Sequence, residues 1–276
     1  MIPLKTEPFY GRVVYPIMYV LNWVKLVVLV GVAAVSVPAW SAGEQIAAPL
    51  PFAVGEVLEY DLKWSVFGVG RARMEVLPMD EFAGQPVWCF HFEVRTNAFA
   101  DKLFKVRTRI DSWVSLDLSR TVHYEEVKRE GKTQRDIVVR FDLAEGTAHY
   151  TNFGQSREPL RLGAGPVLDP LGAVYHLRSR LAAAPAGEAV CEFSVTDGKK
   201  LVPLRLQAQR RERIRVNGQR WDSLRFVPET GELGGVFEKS EDSDVRLWLT
   251  ADGAATPLQV QGEVIVGSFW AKLRPE

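Results

Sequence analysis

Pro86-Val87-Trp88-Cys89-Phe90-His91-Phe92-Glu93-Val94-Arg95-Thr96 is the stretch whose reading decides the fold. Trp88, Phe90, Phe92 and Val94 fall on one parity, and Cys89, His91, Glu93 and Arg95 on the other. Strict alternation over this length is the period of a half-buried β-strand, with one face for a core and the other for water or a neighbour.

The same texture spreads in both directions. Glu56 to Ser65 alternates, with Leu58, Tyr60, Leu62 and Trp64 opposite Val57, Glu59, Asp61 and Lys63. Phe67-Gly68-Val69-Gly70 reads as a turn on glycine grounds, and Arg71 to Leu77 as the returning strand. Phe104 to Ser115 is another strand, after one helical turn within Asn97 to Leu103. Thr121–Arg129 and Thr133–Asp142 flank Gly131-Lys132 as a hairpin, and Thr147–Phe153 follows Glu145-Gly146. Gly154 to Val167 has no period and reads as a loop. Beyond residue 188 come strands at Glu188–Thr196, Lys199–Val216, Gln219–Val227, Gly234–Glu238, Asp244–Thr250 and Pro257–Leu273. Asp197-Gly198 and Asn217-Gly218 are the hairpin dipeptides between them.

A single helix interrupts this pattern at Asp169–Ala184. Asp169 is an N-cap type residue and Pro170 sits where a helix tolerates proline. Leu171, Val174, Tyr175, Leu177, Arg178 and Leu181 fall near one side. The fold class is therefore all-β and mainly antiparallel: a curved sheet or incomplete barrel or roll with one central helix, which is expected to plug or cap the concave side.

The chain starts differently. Lys25 precedes an apolar run, Leu26 to Val37, and Ala39-Trp40-Ser41 supplies small residues two apart. This order reads as a secretory signal peptide over residues 1–41, with the true start at Met18 as one option. Residues 42–51 then form a tether, and 52–273 a single β-rich domain. The expected location is the periplasm. The alternative is an inner-membrane anchor made by the same N-terminal segment if it is not cleaved. After cleavage no integral span is expected. A membrane-crossing barrel is disfavoured, because Lys63, Arg95, Arg107, Arg109, Arg140 and Arg246 scatter charge through the strands.

The full chain balances 34 basic against 34 acidic residues. The leader removes Lys5, Glu7, Arg12 and Lys25, so the mature part carries a slight negative excess. That argues against bulk electrostatic capture of nucleic acid or of an anionic membrane.

Cys89 and Cys191 are the only cysteines, and an oxidising compartment allows a disulfide between them, although the strand pattern puts them on different kinds of face. His91, His123, His149 and His176 stand apart from one another, without metal-ligand spacing, so neither metal nor cofactor is expected. Carboxylate pairs such as Glu125-Glu126 read as polar turns or edges. No Gly-x-Ser-x-Gly or His-Glu-x-x-His motif is present. Arg205, Arg211, Arg213 and Arg215 share one strand parity, as a cationic ladder for phosphate-bearing lipid or as a solvated face neutralised across the sheet. Asp169, Tyr175 and Arg178 are the candidate ligand-binding residues; the competing role for them is docking of the helix onto the sheet.

Phe52-x-x-Gly55-Glu56-x-Leu58-Glu59-Tyr60-x-Leu62-x-Trp64 resembles the opening of a bacterial exported family, domain of unknown function 3108. Asp169-Pro170-Leu171-x-x-x-Tyr175-x-Leu177-Arg178 resembles its central motif. Asp197-Gly198-Lys199, Arg211-Glu212, Pro228, Trp248-Leu249-Thr250, Pro257 and Gly267-Ser268 follow in its order. Gly172 departs from it where a small hydroxyl residue is expected, and glycine there loosens the helix start. The resemblance implies a β-rich envelope protein and carries no activity with it. The expected function is a non-catalytic envelope protein that binds a lipid or other amphiphile in the concave sheet. The alternatives are a structural or assembly factor that binds another envelope protein, and a hydrolase whose site no local motif reveals.

Overall fold

The computed structural model describes residues 50–183, 190–227, 245–263 and 268–275. The leader, most of the tether and the strand expected at Gly234–Glu238 lie outside the described residues. Sixteen strands form one mostly antiparallel sheet that does not close. The first half runs β1 (Val57–Trp64), β2 (Phe67–Phe82), β3 (Gln85–Thr96), β4 (Val106–Ser115), β5 (Thr121–Glu130), β6 (Thr133–Asp142) and β7 (Thr147–Asn152), each paired with the next. A short helix, α1 (Ala98–Asp101), sits between β3 and β4. The two-residue strands β8 (Gln155–Ser156) and β9 (Leu160–Arg161) both pair with β7. β10 (Val167–Leu168) leads into α2 (Pro170–Ala183). The second half is β11 (Val190–Thr196), β12 (Leu201–Val216), β13 (Gln219–Phe226), β14 (Val245–Thr250), β15 (Pro257–Glu263) and β16 (Ser268–Leu273). β16 returns to pair with β1, so the two halves are one continuous curved sheet.

The roll ends in β8 on one side and β10 on the other. A single backbone bridge, Arg120 to Val167, ties β10 across to the start of β5. The Lys199 ammonium, in the β11–β12 turn, lies 5.2 Å from the Tyr150 ring on β7. Side chains rather than a hydrogen-bonded ladder therefore bring the margins together.

Alternation places the residues as expected on the deciding strand. Phe90, Phe92 and Val94 enter the main core, with Trp88 packed against it. Two expectations are corrected. Phe67 to Gly70 is not a turn but the start of β2; the reversal is confined to Ser65 and Val66. Gly70 is needed for close packing, because a Cβ there would fall 2.2 Å from the Arg95 carbonyl on β3. Pro257–Leu273 is not one strand but the antiparallel pair β15 and β16.

The helix is also less one-sided than its spacing implies. Its first nine residues are buried apart from the half-buried Val174. α2 lies inside the roll, against β3 and β4 on one side and β10 and β11 on the other, so both of its faces are covered. His176 shows the consequence. Its Nδ1 lies 2.8 Å from the Leu118 carbonyl and its ring packs edge-on against Phe193, 5.0 Å away. Burial pushes its pKa down to about 4, the hydrogen bond to Leu118 opposing the shift.

A histidine held neutral by the fold takes up its proton more readily when unfolded. Its contribution is complete above the ordinary value near 6.5 and is lost as pH falls toward 4. Urea unfolding across this window should show His176 removing roughly 3 kcal/mol of stability, at about 1.4 kcal/mol per unit. In His176→Gln that loss should shrink; an unchanged slope would assign it elsewhere.

Candidate functional site

Asp169, Tyr175 and Arg178 are all buried, and what they touch is protein. Asp169 caps α2. Its Oδ1 accepts from the backbone N–H of Leu171 (2.8 Å) and Gly172 (3.1 Å), and its Oδ2 accepts from the Ser112 and Thr121 hydroxyls on β4 and β5. Burial raises its pKa, and those four donors oppose the shift.

The Arg178 guanidinium forms an ion pair with Glu56 (Nη1 to Oε1, 2.5 Å) and bonds the carbonyls of Pro51 and Ala254 at 2.9 and 3.3 Å. It also lies 5.4 Å from the Phe52 ring and 5.6 Å from that of Tyr175. Tyr175 stacks on Phe90 with centroids 3.7 Å apart and meets Phe52 edge-on at 5.0 Å. Burial raises the Tyr175 phenol well above its ordinary range, the nearby Arg178 charge opposing it. The two motifs that carry the family resemblance, around Phe52–Tyr60 and Asp169–Arg178, thus meet in one buried cluster.

Among the described residues, α2 and core side chains pack on the concave side of the sheet. The family model described as "Protein of unknown function (DUF3108)" matches residues 59–274. The chain belongs to the DUF3108 family. A crystal structure of a beta-barrel-like protein of domain of unknown function DUF1849, from Brucella abortus, is similar at a TM-score of 0.49 and 11% identity, over 80% of this chain and 96% of that one. No curated protein matches the DUF3108 chain.

Cys89 and Cys191 are both buried and free. Cys191 is in the main core, whereas Cys89 lies on the opposite, outer parity of β3. Burial raises both thiols to about 11, which keeps them protonated and poorly nucleophilic. His91 lies 2.6 Å from Asp111 rather than pairing with Cys89, and among the described residues no cluster of three or more His, Cys, Asp or Glu is placed to hold a metal. No helix among the described residues is long and apolar enough to cross a membrane.

The carboxylates expected at a turn or edge are corrected. Glu125 and Glu126 lie within β5, and Glu126 faces inward with Lys128 and Glu130. The Lys128 ammonium is 2.7 Å from Glu130, whose other oxygen accepts from the Thr108 hydroxyl at 2.9 Å. Burial raises the Glu130 carboxyl, Lys128 opposing it. The signal was present: the inward parity of Tyr124 continues through Glu126, Lys128 and Glu130. The single parity expected for the β12 arginines is broken by a register shift between Ala208 and Arg210, and they are neutralised in part across strands, Arg205 by Glu192 (3.5 Å) and Arg213 by Asp222 (2.9 Å).

Among the described residues there is an open groove of about 940 Å3 that no local motif announced. Three hairpin tips build it: Phe82–Val87 between β2 and β3, Ser115–Asp117 with Val122 between β4 and β5, and Arg140–Ala144 with His149 between β6 and β7. These turns share one end of the sheet because consecutive antiparallel hairpins alternate ends. Phe82, Val87, Leu116, Val122 and Leu143 form its apolar walls, with Arg140 and His149 among its polar lining.

Gly172 proves to be a packing requirement. A Cβ there would lie 2.9 Å from both Asp169 Oδ2 and Val114 Cγ2, and 3.2 Å from the Thr121 hydroxyl. Alanine favours a helix over glycine by about 1 kcal/mol, yet Gly172→Ala should destabilise the protein, because the cap must shift. Glu56→Gln leaves a buried guanidinium without its counter-charge and should cost about 3 kcal/mol or more. Chemical denaturation checks both. A stabilised Gly172→Ala would overturn the close-packing account, and a loss below about 1 kcal/mol in Glu56→Gln would show that the carbonyls suffice.

Proposed function

We propose that this DUF3108 protein is an exported, non-catalytic envelope protein that holds an amphiphile in the groove at the hairpin tips. The groove carries the reading. Its volume falls in the range of small-molecule sites, and an apolar wall with a few polar groups suits an acyl body with an anionic head. Leu116 and Leu143 are exposed on this end, ready to be covered by such a ligand. Arg140 and His149 are the groups that would meet its head. The N-terminal charge, apolar run and small-residue order supports export to the periplasm.

The polar groups of the groove favour binding over catalysis. The Ser115 hydroxyl donates to Asp117 at 2.6 Å, and His149 bonds Thr147 at 3.1 Å, so the groove does not pair Ser115 with a histidine base. Burial would raise the Asp117 carboxyl, but hydrogen bonds from Ser115 and Ser119 outweigh it and hold the pKa low, which makes a weak base. The competing reading is an assembly factor that lends a sheet edge to another envelope protein. The sheet offers it little, because β8 and β10 are two residues each.

Uptake of a fluorescent fatty acid tests the reading, together with organic extraction of protein purified from envelopes. The native chain should take up the probe and carry an extractable amphiphile. Leu116→Glu with Leu143→Glu should weaken uptake by at least roughly tenfold, since each leucine contributes about 1.5 kcal/mol or more when covered, while the unfolding midpoint stays put. No uptake by the native chain, or equal uptake by the double variant, would refute the groove as the seat.

A further inference from the structure

Strand register brings together four arginines that are far apart in sequence. Arg71 on β2 is directly opposite Arg95 on β3, Arg95 opposite Arg107 on β4, and Arg107 opposite Arg129 on β5. All four have the outward parity, so they form one row across the convex face. Like charges directly opposite one another destabilise a sheet, so a row of four calls for a reason. The next row is built conventionally: Glu59, Arg73, Glu93 and Arg109 alternate in sign over β1 to β4.

Part of the row is occupied internally. Arg107 pairs with Asp101 at 2.7 Å, and Arg129 bonds the Lys128 and Arg135 carbonyls and lies over the Phe153 ring. Arg71 and Arg95 are exposed and, among the described residues, form no ion pair. Asp61, opposite Arg71, lies within 3.6 Å of Arg274. Arg71 and Arg95 instead line, with Lys63 and with Asp61, which Arg274 engages, a hollow of about 420 Å3 that Gly68 and Gly70 also border. That is room for a phosphate headgroup.

An apolar knuckle projects beside this hollow. Val66 is 83% exposed, and Phe67 and Phe99 are 56% each. The two rings lie 6.4 Å apart. The Asn97 amide donates to the Gly68 carbonyl at 2.7 Å, its backbone N–H donates to Val69 at 2.9 Å, and its side chain caps α1. The knuckle is thus held in shape before anything binds. Exposed Lys102 and Lys105 follow on the same end.

We propose that this end of the roll docks on a membrane surface of anionic phospholipid, with Arg71, Arg95 and Lys63 on the headgroup phosphates and Val66, Phe67 and Phe99 dipping into the headgroup layer. Charge complementarity and a projecting apolar tip next to a phosphate-sized basic hollow are what a lipid surface requires together. The near-neutral total charge conceals the feature, because the signs are segregated by row. The surface is at the opposite end of the sheet from the groove of the proposed function, and either stands without the other.

The test places an environment-sensitive dye on Val66→Cys in the full chain, where the native Cys89 and Cys191 are buried and do not label. A dye at this position reports the knuckle itself, whatever the N-terminal segment does. Vesicles of phosphatidylcholine with phosphatidylglycerol should shift its emission to the blue, and phosphatidylcholine alone should not. Arg71→Gln with Arg95→Gln should weaken that response by roughly thirtyfold, as expected from about one unit of binding energy per basic residue, and added salt should weaken it further. Circular dichroism on the variant controls for folding, and Phe67→Ser with Phe99→Ser gives a second, charge-independent loss. No shift with the anionic vesicles would overturn the proposal. So would a response equal on neutral vesicles or unaffected by the arginine pair, or binding of a nucleic acid or polyphosphate without any shift on the vesicles.

Discussion

A buried guanidinium, that of Arg178, is the constraint on which the rest of this structure depends. A sheet that does not close lacks the continuous hydrogen-bond ladder that fixes a barrel, so its contents must be fastened some other way. Arg178 fastens the helix to three remote segments at once: the carbonyl of Pro51, the carboxylate of Glu56 ahead of β1, and the carbonyl of Ala254 between β14 and β15. A charge in this position is costly to bury and more costly to leave unmatched, so the arrangement selects one placement of α2 over its neighbours. Asp169 does the corresponding work at the other end of the helix, taking hydroxyl donors from β4 and β5.

The interior follows from that fastening. Once α2 is drawn in, its aromatic and aliphatic residues complete the core, and Tyr175 stacks on Phe90 and meets Phe52 edge-on. The inward face of β5 is different, with Lys128 and Glu130 paired and Thr108 donating to the same carboxylate. A polar set this well matched is tolerated inside a fold because each group finds its partner there. It also explains why a strand with so many charges still belongs to the sheet.

With α2 inside the roll, the two ends of the roll carry the open features. Antiparallel hairpins necessarily alternate between two ends, and here the ends differ in character. One gathers apolar hairpin tips around a groove with Arg140 and His149 in its lining, and the other presents bare arginines beside a small aromatic knuckle. Neither depends on a single motif, so residue spacing alone announced neither.

Much of the fold was legible in the chain. Alternation assigned the strands and their faces, hairpin dipeptides placed turns, and Asp169-Pro170 marked the helix start, because all of these are local properties of the backbone and its nearest neighbours. Failures were local signals with non-local causes: Gly70 read as part of a turn but serves the approach of β3, and Gly172 read as a weakness but admits the strand beneath it. The sequence by itself determined an all-β chain with one helix and the alternation along its regular strands. Only the tertiary structure decided that Glu56 meets Arg178, that three hairpin tips enclose a groove, and that four arginines line up across four strands. Those facts depend on register and curvature, which are set by contacts between residues far apart in the chain, and no window of sequence contains them.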